Sequence, residues 1–122
     1  MAESVYASLV EEFRHQNEVA VVIVNELSII TEVNDVFLAV LGFAREDIVG
    51  QPLMRIVPDH MLDAHHLGFA RFVETGKARL LGQLLTMPVL HASGEILQAE
   101  ICIEAWRENG EWTFGATIQP VS

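Results

Sequence analysis

The 122-residue chain has room for one core of ordinary domain size, and 17 acidic against 7 basic residues give it a formal charge of −10. That field repels phosphate backbones and anionic lipid, so nucleic acid and membrane surfaces are poor partners. A single cysteine, Cys102, leaves no internal disulfide and no CxxC metal or redox motif, while a hydrophobic fraction of 51% calls for a thick core, an internal cavity or a buried partner surface.

In chain order, Ser4 to Arg14 places Val5, Leu9, Val10 and Phe13 at helical spacing behind a Ser4 cap, which predicts an amphipathic flanking helix within residues 1–17. The start, Met1-Ala2-Glu3-Ser4, lacks a basic segment followed by an apolar one, and the longest strongly apolar run, Val19 to Val24, is too short to span a bilayer. A cytoplasmic location is expected. A main domain over 18–122 follows. Val19 to Val24 and Ile29 to Val33 read as two strands of a hairpin turned by Asn25-Glu26-Leu27-Ser28. Asn34 caps a short helix carrying Val36, Phe37, Val40 and Leu41, which Gly42 ends, and Ala44 to Val49 gives another turn or two. Pro52 and Pro58 bracket the segment from Leu53 to Val57.

Between Asp59 and Glu74 the helical period returns, with Met61, Leu62, His65, Phe69 and Phe72 in one broad stripe and Gly76 as the stop. Strands are predicted at Ala78 to Leu90, Ile96 to Trp106 and Trp112 to Gln119, separated by Ala92-Ser93-Gly94-Glu95 and Glu108-Asn109-Gly110-Glu111. In the second of these, Leu97, Ala99, Ile101, Ile103 and Ala105 share the core-facing side, and Cys102 projects from the other as an ordinary thiol. Trp106 and Trp112 flank the last turn and are expected to pair across the strands. The order of elements is α+β: a five-stranded antiparallel sheet with short helices on one face and an N-terminal flanking helix.

The residues Glu32-Val33-Asn34-Asp35-Val36-Phe37, then the run from Leu41-Gly42-Phe43 to Gly50-Gln51-Pro52-Leu53, resemble the hairpin-to-helix core of the PAS family. Gly68 to Gly76, Arg79 to Gln83 and Ser93-Gly94-Glu95 resemble that family's long helix, third strand and following hairpin, so the likeness covers roughly residues 18 to 119. It implies a PAS fold and a sensory or regulatory domain whose pocket serves ligands rather than catalysis.

Within the family the chain is most similar to the haem-binding PAS domains of FixL-type oxygen-sensor kinases. That likeness puts His65 at the proximal ligand position for haem b, with Phe69 and Phe72 as pocket floor and Leu80, Leu85, Ile101 and Ile103 as an apolar wall. Periodicity alone does not separate His65 from His66, which lies one step round the helix. Leu85 falls where those oxygen sensors carry an arginine that donates to bound oxygen, so CO, NO or redox state is at least as good a signal here. No cysteine lies in the helix where light-sensing flavin domains carry one, and no flavin is expected.

Asp59, His60, Asp63, His65 and His66 offer at most a weak surface metal site, since no two of the histidines stand at i,i+4. There is no Gly-x-Ser-x-Gly elbow, P-loop or Gly-x-Gly-x-x-Gly loop, and the expectation is a non-enzyme. The alternative to a haem sensor is a haem-free PAS module that binds another small apolar ligand or only a protein. Expected partners are a second copy, through the flanking helix and outer sheet face, and an effector domain or protein.

Overall fold

A computed structural model describes residues 18–62 and 84–121 of the chain. The predicted flanking helix, the helix beyond Leu62 and the strand residues Ala78 to Gln83 lie outside the described residues, as do His65, His66, Phe69, Phe72 and Leu80.

The β-branched run after Val19 forms β1 (Ala20–Asn25), and β2 (Ile30–Val33) returns antiparallel to it. Asn25 closes the turn: its Oδ1 accepts from the backbone N–H groups of Leu27 at 3.0 Å and Ile29 at 3.1 Å, while Ser28 takes a positive φ of 62°. Strict alternation would place Ile30 and Val33 on opposite faces. Instead Val22 pairs with Val33 and Val24 with Ile30, so Thr31 is an extra residue in a bulge, and both apolar side chains are buried in the core.

Asn34 ends β2 and caps α1 (Asp35–Leu41), its Oδ1 accepting from Phe37 N at 2.9 Å. The same oxygen accepts from Val21 N at 2.9 Å, and the amide Nδ2 donates to Val19 O at 2.8 Å, so one side chain fastens the helix to the start of β1. Gly42 terminates α1 at φ 79°, and a methyl group there would lie 2.6 Å from Cε1 of His91. The carbonyl of Leu41 is taken up by Ala92 N at 2.8 Å, which joins the helix end to the turn between the third and fourth strands. A four-residue helix α2 (Arg45–Ile48) follows, then 3-10 turns at Leu53–Ile56 and Asp59–Met61. The last stands where the sequence predicts the start of a helix at Asp59, with Pro58 preceding it.

The remaining strands are β3 (Leu84–Leu90), β4 (Ile96–Glu108) and β5 (Glu111–Pro120). They complete a five-stranded antiparallel sheet in the order β2-β1-β5-β4-β3, with β5 central. Both strands of the last hairpin run longer than expected because Glu108 pairs with Glu111 across a two-residue turn, Asn109-Gly110, at φ 52° and 82°. That register corrects the tryptophan pairing. Trp106 stands opposite Thr113 and Trp112 opposite Arg107, so the two indoles point to opposite faces; the Arg107 guanidinium lies 5.1 Å from the Trp112 ring centroid. Pro88, which cannot donate to a ladder, sits in β3 at the sheet's edge.

The core lies between one sheet face and the helices: Ala20, Val22, Val24, Ile30, Ala99, Ile101, Phe114 and Ile118 meet Phe37, Leu41, Ile48 and Ile56. Val21, Ile23 and Trp106 form a separate buried group on the other face. Trp106 belongs to β4 and Val21 and Ile23 to β1, with β5 between them. Gly115, opposite Glu104 and Ile23, leaves the outer surface of β5 without a side chain at that crossing.

Because Asn34 serves a helix cap and two β1 backbone groups together, Asn34→Ala should cost about 2–4 kcal/mol, measured as a lowered urea midpoint with an unchanged slope. A loss below about 0.5 kcal/mol would show that water replaces all three bonds.

Candidate functional site

Along β3, β4 and β5 alternate residues face the core, and antiparallel pairing stacks them into rows across the sheet. One row runs Leu85, Ile101, Ile118, Ala20; the next runs Ile103, Ala116, Val22, Val33; a third runs Ala105, Phe114, Val24, Ile30. The structure therefore brings together three of the seven expected pocket residues. Leu85 is the direct cross-strand partner of Ile101, and Ile103 is two positions further along β4 on the same face.

These inward positions are not equally covered. Ile101 is 6% exposed and Ile118 2%, whereas Leu85, Met87, Ile103 and Ala116 are only half-buried. α1 packs on β1 and the 3-10 turn Leu53–Ile56 meets β3, and among the described residues the partly open inward side chains lie on β3, β4 and the middle of β5. Their side chains are hydrocarbon, with the thioether of Met87 the one heteroatom. The wall can exclude water and hold an apolar surface, but it offers no charge and no side-chain hydrogen-bond donor. Leu85, at the position the resemblance gives to arginine, is part of this hydrocarbon surface. Met87 and Ala116 were missed in the sequence; the alternation of β5, with Trp112, Phe114, Ala116 and Ile118 on one side, was the signal that could have found Ala116.

Two open surface clefts lie elsewhere. One, of about 460 Å³, is bordered by Phe43, Asp47, Arg55 and Ala92, with the Arg55 guanidinium 6.0 Å from the Phe43 ring; the other, of about 520 Å³, is bordered by Thr31, Arg45 and Val49. Neither includes Leu85, Ile101 or Ile103. Of the suggested metal cluster, only Asp59 and His60 are described, and both are exposed. Among the described residues no three His, Cys, Asp or Glu side chains are placed to share a metal ion. No helix among them is long and apolar enough to cross a membrane.

The family model for PAS domains matches residues 18–120. The chain belongs to the PAS domain family. PAS domains are generally sensory and regulatory modules of signalling proteins. An uncharacterised protein of Azorhizobium caulinodans is 32% identical over 104 residues, 84% of this chain but 14% of its own length, so the chain spans about one seventh of that relative. Among solved structures, the PAS domain of an HTR-like protein from Haloarcula marismortui superposes with a TM-score of 0.65 at 20% identity, covering 98% of this chain and 93% of that one. A PAS domain from Desulfitobacterium hafniense gives 0.70 at 16% identity, covering 90% and 99%. A LOV domain of a blue-light activated histidine kinase from Erythrobacter litoralis gives 0.61 at 11% identity, covering 88% and 99%. At such identities these neighbours establish the PAS fold alone.

Cys102 lies on the face away from the core, opposite Leu84 and Thr117. Partial burial and then the neighbouring Glu104 carboxylate hold its thiol above the ordinary value, which lowers the thiolate fraction at neutral pH. Iodoacetamide should alkylate Cys102 at pH 8 more slowly than a free cysteine. Glu104→Gln should raise the rate by less than about tenfold, because burial is the larger cause.

Proposed function

We propose that this PAS domain is a ligand-responsive regulatory module whose pocket lies against the inner face of β3, β4 and β5. The observation that carries this reading is a group of hydrocarbon side chains in two adjacent rows, Leu85, Ile103 and Ala116, facing the core side of the sheet without being fully covered. A core filled by its own side chains would bury them as it buries Ala99 and Ile118.

The occupant favoured by the resemblance is haem b, which His65 would hold through its iron. The described wall is compatible with one face of a porphyrin: it is hydrocarbon and uncharged, and Leu85, Ile101 and Ile103 would lie against the macrocycle. By the resemblance, Phe69, Phe72 and Leu80 would line the rest of the pocket. Bound haem would supply an iron centre that responds to a diatomic gas or to redox state. The chain's own part is to exclude water and to withhold a charged donor at Leu85, which favours CO, NO or redox change over stable oxygen binding. A change in occupancy would reach an effector domain or partner protein through the sheet.

The outer face supports a second role within this reading, pairing with another copy of the chain. Leu84 and Ile96, which share that face with Cys102, are 67% and 49% exposed. Leu84→Glu should then shift gel-filtration elution toward the monomer, and unchanged elution would remove the role.

Haemin titration of the purified chain tests the haem assignment. One equivalent should produce a Soret band that is lost in His65→Ala and kept in His66→Ala; failure of the unsubstituted chain to take up haemin at one to one would overturn it.

A further inference from the structure

Four alanines among the described residues face the core from the sheet, and three of them are covered: Ala20 is 1% exposed, Ala99 0% and Ala105 9%. Ala116 is the exception, packed against the core yet half-buried. Its position gives that exposure meaning. It lies mid-way along the central strand, with Ile103 opposite it on one side and Val22 on the other, so its exposure is not that of a sheet edge or a strand end. Along β5 the inward neighbours are Phe114 and Ile118, both far larger. Ala116 is thus the floor of a notch in the sheet surface, walled by Phe114 and Ile118 along the strand and by Ile103 beside it. The directly opposed Ile103 is half-buried too, as an unfilled notch requires.

The walls of the notch carry no polar atom. β5 is paired on both sides, to β1 and to β4, so its backbone N–H and C=O groups are spent in the ladders. A ligand atom that needs a hydrogen bond would lose its water there and gain nothing in return. We propose that Ala116 sets the depth at which a ligand seats on the sheet, and that the site takes a molecule presenting a hydrocarbon or aromatic face free of hydrogen-bonding atoms toward β4 and β5. This rests on the pocket reading above and adds to it a size-determining residue and the chemistry of the ligand's buried face.

Ala116→Leu fills the notch and Ala99→Leu overfills a covered site, so the two variants of one kind of substitution behave differently. Melting of the ligand-free chain should be unchanged or higher in Ala116→Leu and lower by more than about 4 °C in Ala99→Leu. Two probes then read the pocket: haemin by its Soret band, and the neutral apolar fluorophore N-phenyl-1-naphthylamine by its emission. Ala116→Leu should weaken at least one of them by about tenfold or more, while Thr117→Leu, on the opposite face, leaves both unchanged. Uptake of the fluorophore but not of haemin by the unsubstituted chain, with the fluorophore lost in Ala116→Leu, sinks the haem assignment and supports the role of Ala116. Undiminished affinity in Ala116→Leu for every probe that the unsubstituted chain binds overturns that role and leaves the pocket reading standing. Binding of neither probe by the unsubstituted chain, or a melting point in Ala116→Leu that falls as far as in Ala99→Leu, overturns it as well, since the space above Ala116 is then already filled.

Discussion

The two-residue turn at Asn109-Gly110 governs the rest of the sheet. Both residues hold positive φ, 52° and 82°, a pair of values that Asn and Gly tolerate and most residues do not. With the turn fixed, Glu108 must pair with Glu111, and every later pair of β4 and β5 follows. A slip of one residue would turn Glu100, Cys102 and Glu104 toward the core and send Ile101 and Ile103 to the outer face. Because β1 pairs with β5, and β2 and α1 with β1, the register chosen at that turn is passed to the whole molecule.

Asn34 does for the layers what the turn does for the sheet. A helix start needs a side-chain acceptor, and at the beginning of β1 the Val21 N–H and the preceding Val19 carbonyl also take a side-chain partner. One carboxamide serves all three, and the bulge at Thr31 turns both Ile30 and Val33 inward under the helix. Around this anchor the buried apolar side chains of α1, Phe37 and Leu41, can cover β1. The exposed ion pair of Arg45 with Asp35, at 2.6 Å, adds little by comparison, since Asp35 is 95% exposed and the pair is screened by water.

Covering β1 in this way leaves the other side of the sheet to a different use. Among the described residues the short helices bury much of the inner face, while Leu85, Ile103 and Ala116 remain inward, apolar and only half-buried. Under the proposed reading, a surface of that composition would select by shape and by the absence of polar atoms, and the paired strands would carry a signal from it. The outer face, which carries the buried group Val21, Ile23 and Trp106 and the exposed Leu84 and Ile96, is where such a change would be read in the proposed reading.

Much of this was legible in the sequence because its signals are local. Asn34 as cap, Gly42 as stop, the Asn-Gly turn and the alternation through Ile101 and Ile103 each depend on residues a few positions apart, where propensity and periodicity act. The element order and the PAS resemblance followed from them. What only the tertiary structure decided depends on pairing between distant strands: the bulge that turns Val33 inward, the separation of Trp106 and Trp112 onto opposite faces, and the extension of the last hairpin to Glu108 and Glu111. Ala116 belongs to the same class. An alanine in a strand carries no mark of being a floor, and it becomes one because Phe114, Ile118 and Ile103 rise around it once β5 is seated between β1 and β4.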